Sequence, residues 1–182
     1  MNSAVAKQII LVTGGARSGK SQYAEARGGE MGRRRLYLAT AEAKDDEMAQ
    51  RIAEHKKRRG PDWITVEEPM ELANALLSHR GQADFALVDC LTLWISNLLI
   101  GNDHESAAAR VEALIRILPQ LDFHVAFVSN EVGWGIVPDN PLAREFRDLV
   151  GWTHQRLAKV ADEVILMVAG LPVVVKQEKT CG

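Results

Sequence analysis

One glycine-rich run limits what this chain can fold into more than any other part of it. The run consists of Gly14, Gly15, Ala16, Arg17, Ser18, Gly19, Lys20 and Ser21. It matches the phosphate-loop pattern G-x-x-x-x-G-K-[ST], in which glycines let successive backbone N–H groups point at phosphate oxygens and the next helix adds positive potential. The chain is therefore predicted to hold a nucleoside triphosphate.

The last two residues of the run have separate predicted roles. Lys20 is expected to reach the β- and γ-phosphates, and Ser21 to offer its hydroxyl to Mg²⁺, which keeps most of its coordination as water and phosphate oxygen. The flanking residues fit, because residues 8–13 are typical of a buried strand and residues 22–27 are good helix formers. Gly28 and Gly29 are expected to end that helix. The alternative is an ordinary glycine-rich turn.

Apolar strands alternate with helical segments along the rest of the chain. Strands are predicted at 35–40, 63–67, 85–89, 125–129, 163–168 and 172–176, and helices at 45–59, 71–79, 91–100, 106–118 and 141–161. Asn140 is the expected cap of the last helix, with Pro141 at its first position. The alternation predicts an α/β fold, a P-loop NTPase-like three-layer arrangement with a mostly parallel sheet covered on both faces.

Length and composition point to one nucleotide-binding domain spanning residues 1–182, with residues 1–7 flexible. The formal charge of −2 provides no general attraction to nucleic acid or to an anionic membrane. We find neither a secretory signal nor a run of roughly 18 apolar residues, so no stable membrane insertion is expected. The two cysteines, Cys90 and Cys181, are typical of a reduced cytoplasmic protein.

Carboxylates at strand ends are the next candidates for chemistry. Ligands of parallel sheets bind at the carboxyl ends of strands, which places Thr40, Asp89 and Glu131 on the same edge as the phosphate loop. Asp89 is predicted to hold Mg²⁺ opposite Ser21, with helix capping as the alternative. Glu67 and Glu131 are interpreted either as metal, ribose or base contacts or as solvated acids at the rim.

Two further residues have both a functional and a structural interpretation. His55 lies on the inward face of the predicted helix at 45–59, where it is either a packed core histidine or a catalytic one. Trp134 stands between two glycines, which suggests a ligand or subunit contact, or packing in the core. The residues alone predict a Mg²⁺-dependent, nucleotide-using protein of kinase size and leave its acceptor open.

Several stretches together resemble one family, the bifunctional adenosylcobinamide kinase and adenosylcobinamide-phosphate guanylyltransferase of cobalamin biosynthesis. They are residues 10–21, 37–41, 45–48, 51–52 with His55, 63–67, 89–92, 97–99, 129–138, 155–158 and 161–164. The phosphate loop alone is shared by many families. The block at 130–138 combined with the segment around His55 is much more specific.

The resemblance implies a homotrimeric P-loop enzyme that phosphorylates adenosylcobinamide with ATP or GTP. It then transfers GMP to that phosphate through a histidine that becomes guanylylated, and the matching position here is His55. By the same resemblance the nucleotide contacts are Thr40, Ala41, Glu42, Lys56, Lys57, Arg58, Arg59, Glu67 and Asp89. The alternatives are a single-function P-loop kinase of another small metabolite and a nucleotide-binding switch protein.

Overall fold

A computed structural model describes residues 7–41, 61–101 and 104–177. Its strands are β1 (Ile9–Gly14), β2 (Arg35–Ala39), β3 (Trp63–Glu67), β4 (Phe85–Asp89), β5 (His124–Val128), β6 (Glu163–Val168) and β7 (Leu171–Gln177). Its helices are α1 (Lys20–Met31), α2 (Leu72–Ser78), α3 (Leu91–Ile100), α4 (His104–Ile117) and α5 (Pro141–Val160), with a 3₁₀ turn at Leu118–Gln120.

The strands of the described residues form one seven-stranded sheet in the order β3-β2-β4-β5-β1-β6-β7. All neighbouring pairs are parallel except β6 and β7, which are antiparallel. The predicted mostly parallel sheet is thus confirmed. The helix predicted at 45–59 lies outside the described residues, as do residues 1–6 of the predicted flexible segment. Lys7, at the end of that segment, donates hydrogen bonds to the carbonyl oxygens of Leu118 and Leu121 at 3.0 and 2.7 Å.

Side chains of the central strands alternate between two hydrophobic clusters on opposite faces of the sheet, as the two-residue period of a strand requires. In β1, Ile9 and Leu11 belong to one cluster, while Ile10 and Val12 belong to the other. Helices α2 to α5 pack on the first face, and α1 packs on the second through Ala24. The sheet is therefore covered on both faces, as predicted.

Helix α1 does not stop where the sequence suggested. It continues through Gly28 and Gly29 to Met31, so the prediction of a stop at the two glycines is wrong. Gly28 is buried, and a Cβ built on it would lie 2.8 Å from the Trp63 side chain and 2.9 Å from that of Phe85. The missing side chain lets α1 approach the sheet closely, which is a tertiary reason for glycine that local helix propensity does not reveal.

The start of α5 matches its prediction. The Asn140 side chain accepts hydrogen bonds from the backbone N–H groups of Leu142 and Ala143 at 2.8 and 3.3 Å, and Pro141 occupies the first turn. Among the described residues, no helix is long and apolar enough to cross a membrane.

We expect Gly28→Ala to lower the free energy of unfolding by about 1–3 kcal/mol, because the added methyl group has to push apart two aromatic rings in a packed core. The matched control is Gly29→Ala, whose methyl group would have its nearest neighbour 3.8 Å away in the Arg35 guanidinium. Alanine favours a helix over glycine, so this control should leave stability unchanged or raise it by up to about 1 kcal/mol. Urea denaturation measures both, and equal effects would contradict the close-packing role of Gly28.

Candidate functional site

The phosphate loop connects β1 to α1 with backbone angles that favour glycine. Gly14 and Gly19 have φ values of +145° and +95°, in the region that other residues rarely adopt. A Cβ on Gly14 would also lie 2.5 Å from the carbonyl oxygen of Met167 and 2.8 Å from the Ser18 hydroxyl. Inside the loop, the Ser18 N–H donates to the Gly15 carbonyl at 3.3 Å. The glycines of the motif therefore serve both the turn and the tight contact with β6.

The first turn of α1 is open to an anion. Gly19 occupies the cap position, and no side chain of the described residues caps the helix there. The first backbone bond across this turn runs from the Tyr23 N–H to the Gly19 carbonyl at 2.9 Å. The earlier N–H groups and the helix dipole point at the same place, which is the arrangement that binds phosphate.

Lys20 is folded back onto its own loop. Its ammonium donates to the Gly15 carbonyl at 2.6 Å and to the Ser18 hydroxyl at 3.5 Å, and only 6% of the residue is exposed. Burial lowers the pKa of Lys20, while the carboxylates of Asp89 and Glu131 act in the opposite direction. The lysine thus lies between the loop and two acidic groups of the neighbouring strand ends.

The register of the sheet brings those strand ends together. Val12 of β1 pairs with Val128 of β5, which in turn pairs with Asp89 of β4. The carboxylate of Asp89 accepts a hydrogen bond from the Tyr37 hydroxyl of β2 at 2.9 Å. Helix α3 has Cys90 at its cap position and no side-chain capping bond. Asp89 therefore does not cap this helix.

Thr40 joins the end of β2 to the connection between β4 and α3. Its hydroxyl donates to the Cys90 carbonyl at 2.7 Å and accepts from the Cys90 N–H at 2.8 Å. The Asn97 side chain donates to the Thr40 carbonyl at 2.9 Å, and Thr40 is completely buried. The polar groups of Thr40 hold the chain beside Asp89, and its predicted contact with nucleotide stays a prediction.

A second group of polar residues lies next to the phosphate loop. His154 of α5 has its Nε2 atom 2.7 Å from the Ser129 hydroxyl and its Nδ1 atom 3.5 Å from a carboxylate oxygen of Glu131. Burial lowers the pKa of His154, so the ring is neutral near neutral pH, and the Glu131 charge opposes that shift only in part. The backbone N–H of Glu131 donates to the Gly14 carbonyl at 3.0 Å, which ties this group to the loop.

The residues predicted to bind Mg²⁺ fit that ion by their chemistry. Ser21 and Asp89 offer a hydroxyl and a carboxylate, the hard oxygen ligands that Mg²⁺ prefers. No group of three or more acidic, histidine or cysteine side chains with metal-binding geometry occurs within the described ranges.

Comparison with known proteins identifies relatives along nearly the whole chain. The family model described as cobinamide kinase / cobinamide phosphate guanyltransferase matches residues 10–175. The chain belongs to this family. It is 46% identical to the bifunctional adenosylcobalamin biosynthesis protein CobP of Pseudomonas aeruginosa, over 92% of this chain and 97% of that protein. It is 44% identical to the corresponding CobU protein of Salmonella typhimurium, over 92% and 99% of the two chains.

Solved structures of distant sequence share the fold. The flagellar accessory protein FlaH of Methanocaldococcus jannaschii is 12% identical, with a TM-score of 0.51 over 94% of this chain and 79% of that one. A KaiC-like protein of Pyrococcus horikoshii is 14% identical, with a TM-score of 0.52 over 96% and 81%. Together with the parallel sheet and its phosphate loop, these likenesses confirm the predicted P-loop NTPase fold of this family member.

The predicted site residues divide into three sets. The phosphate loop, Asp89 and Glu131 lie on one part of the sheet edge, because Glu131 donates its N–H to the Gly14 carbonyl and Asp89 shares a register row with Val12. Thr40 and Ala41 lie on the same edge at the end of β2, whereas Glu67 ends the outer strand β3, four strand positions or about 19 Å from β1. Outside the described residues lie Glu42, His55, Lys56, Lys57, Arg58 and Arg59.

Two residues of the site were missed by the sequence analysis. Tyr37 supplies the hydroxyl on Asp89, and His154 contacts Glu131. A signal for His154 exists in the sequence, since it follows Val150 by four residues and precedes Leu157 by three, on the buried face of α5. For Tyr37 the sequence carries no such signal. A tyrosine in a strand shows the same local pattern whether its hydroxyl bonds a neighbouring strand or water.

Replacing Thr40 by valine should lower the free energy of unfolding by about 1–3 kcal/mol, because it leaves the N–H of buried Cys90 without its partner. The Cys90 carbonyl keeps its hydrogen bond from the Trp94 N–H at 3.1 Å. Thr40→Ser keeps the hydroxyl and loses only a methyl group, so it should retain most of that stability. Thermal and urea unfolding of the two variants check the expectation. A serine variant as unstable as the valine variant would show that packing, and not the hydrogen bonds, accounts for the role of Thr40.

Proposed function

We propose that this chain phosphorylates the hydroxyl group of adenosylcobinamide with a nucleoside triphosphate. It then transfers GMP from GTP to the new phosphate and releases pyrophosphate. The observation that carries the proposal is an intact phosphate loop with its lysine, in a chain that belongs to the cobinamide kinase / cobinamide phosphate guanyltransferase family. Its relatives in Pseudomonas aeruginosa and Salmonella typhimurium are named bifunctional adenosylcobalamin biosynthesis proteins.

In the kinase step the loop orients the triphosphate. The free N–H groups at the start of α1 bind phosphate oxygens, and Lys20 exchanges its bond to the Gly15 carbonyl for the β- and γ-phosphates. Its ammonium then stabilises the charge that develops as the γ-phosphoryl group moves to the acceptor. Ser21 and Asp89 would hold Mg²⁺, which when bound neutralises phosphate charge.

In the second step we propose that His55 is the nucleophile, as the family resemblance implies. A neutral imidazole nitrogen attacks the α-phosphorus of GTP, an N–P bond forms, and the bond to the bridging oxygen breaks as pyrophosphate leaves. A phosphate oxygen of the phosphorylated substrate then attacks the same phosphorus and frees the histidine. Lys56, Lys57, Arg58 and Arg59 would stabilise the leaving pyrophosphate.

His55→Ala should abolish GMP transfer and leave phosphorylation of adenosylcobinamide measurable, because only the second step needs a covalent histidine. The assay incubates the protein with α-labelled GTP and Mg²⁺ and follows label on the chain, which in a phosphoramidate is acid-labile and alkali-stable. His79→Gln, at the cap position after α2, is a matched histidine control. Absence of label on the wild-type chain would contradict the guanylylated histidine and favour a single-function kinase.

Lys20→Ala should lower the kinase kcat by about 100-fold or more, because the developing charge loses its nearest cation. The assay measures transfer of γ-labelled phosphate to adenosylcobinamide. Lys159→Ala, near the end of α5, controls for the loss of a positive charge elsewhere. Full kinase activity in Lys20→Ala would show that the lysine of the phosphate loop takes no part in phosphoryl transfer.

We propose further that the enzyme is a homotrimer and that it works in the cytoplasm. The exposed apolar side chains of the loop before α5 support an assembly, with Trp134 77% and Ile136 97% exposed. The exposure of Trp134 also excludes its packing in the core of a single chain. The proposed cytoplasmic location rests on the two-cysteine composition, of which Cys90 is a buried free thiol and Cys181 lies outside the described residues.

A further inference from the structure

The cluster of Ser129, Glu131 and His154 is not used by the proposed steps, yet it lies against the phosphate loop. Ser129 and Glu131 follow β5 directly, and the N–H groups of both donate to β1, to the carbonyls of Val12 and Gly14, at 3.0 Å each. His154 comes from α5 on one face of the sheet. The segment after β5 is therefore tied to β1 through its backbone and to α5 through the contact of His154 with the Glu131 carboxylate.

The direction of the hydrogen bonds in this cluster follows from its chemistry. An ionised carboxylate only accepts hydrogen bonds, so the Nδ1 atom of His154 that faces Glu131 carries the proton of the neutral ring. The Nε2 atom therefore accepts from the Ser129 hydroxyl at 2.7 Å. Ser129 is fully buried, so its hydroxyl orients the ring and is no nucleophile. The pair holds Glu131 from one side.

The carboxylate of Glu131 remains accessible. About a fifth of its side chain, 21%, is exposed, compared with 13% of the His154 side chain. The backbone N–H of Glu131 is bonded to the Gly14 carbonyl of the phosphate loop at 3.0 Å, and its charge raises the pKa of Lys20, as does that of Asp89. Asp89 is bonded to Tyr37 and is the proposed metal ligand.

The remaining acids of this sheet edge are positioned for other tasks. Glu67 ends β3, the outer strand of the sheet. Glu68 accepts the N–H groups of Met70 and Glu71 at 3.0 and 2.7 Å, which fixes the turn before α2. Among the acids that the structure describes at this edge, Glu131 is thus the one that is bonded to the phosphate loop and has no assigned task.

We propose that Glu131 is the general base of the phosphorylation step and that His154 is its positioning residue. As the acceptor oxygen forms its bond to the γ-phosphorus, the bond from that phosphorus to the β,γ-bridging oxygen breaks and the nucleoside diphosphate leaves. The proton of the acceptor hydroxyl passes to the Glu131 carboxylate, which later releases it to water. This inference rests on the proposed kinase activity.

The first test measures steady-state kinase kinetics of Glu131→Gln, which keeps the shape of the side chain and removes the basic oxygen. We expect kcat to fall by about 100-fold or more, the contribution typical of a positioned base, with the nucleotide KM little changed. Glu112→Gln on α4, which breaks an ion pair with Arg156 away from the loop, is the matched control. An unchanged kcat in Glu131→Gln overturns the proposal.

The second test separates positioning from simple structural support. His154→Leu should lower kcat by up to about 100-fold through misplacement of the base, and His154→Gln, which keeps an N–H donor, should recover part of it. If both variants lose stability in urea and lose kinase activity and GMP incorporation in parallel, His154 only supports the fold and its positioning role is wrong.

The wild-type chain is the reference that keeps the two proposals apart. If it transfers no phosphoryl group to adenosylcobinamide, the proposed function fails, and this inference fails with it. If the wild-type chain is active and Glu131→Gln turns over equally fast, only the assignment of the base is overturned. A selective fall in kcat for Glu131→Gln, with recovery in His154→Gln, supports both residues in their proposed roles.

Discussion

The alignment of three parallel strands is the constraint on which the rest of the site depends. Val12, Val128 and Asp89 occupy one row across β1, β5 and β4 because backbone hydrogen bonds fix their register. Asp89 stands in that row, and the phosphate loop, Ser129 and Glu131 follow it within a few residues. A shift of one residue in any strand would exchange its two hydrophobic faces, so the burial of both clusters also holds the site in place.

The two faces of the sheet contribute differently to the site. On one face α1 delivers the phosphate-binding N–H groups, and its close approach at Gly28 brings that helix down onto Trp63 and Phe85. On the other face α5 packs against the sheet and supplies His154, which contacts the Ser129 hydroxyl after β5. The site is therefore assembled from both layers, and packing on either side of the sheet affects its geometry.

Much of this arrangement could be predicted from the sequence, because strand and helix patterns are local. The phosphate loop, the strand ending at Asp89 and the cap at Asn140 all depend on neighbouring residues. The sequence predictions that failed concern contacts between residues that are distant in the chain. Gly28 was predicted to end the helix because the local sequence does not reveal the two aromatic rings, from two strands, that leave no room for a side chain there. The contact of His154 with Glu131 joins positions that are distant in the chain. Such contacts leave little trace in a local pattern.

The bond between Lys20 and the Gly15 carbonyl has a consequence for affinity. Because Lys20 bonds a carbonyl of its own loop, a triphosphate that binds the lysine exchanges one set of hydrogen bonds for another and gains less than its contacts would suggest. The same bond fixes the position of the lysine beside the loop. Selectivity for triphosphate over smaller anions then follows, because a ligand must offer enough oxygens to replace the internal bond and still fill the helix N-terminus.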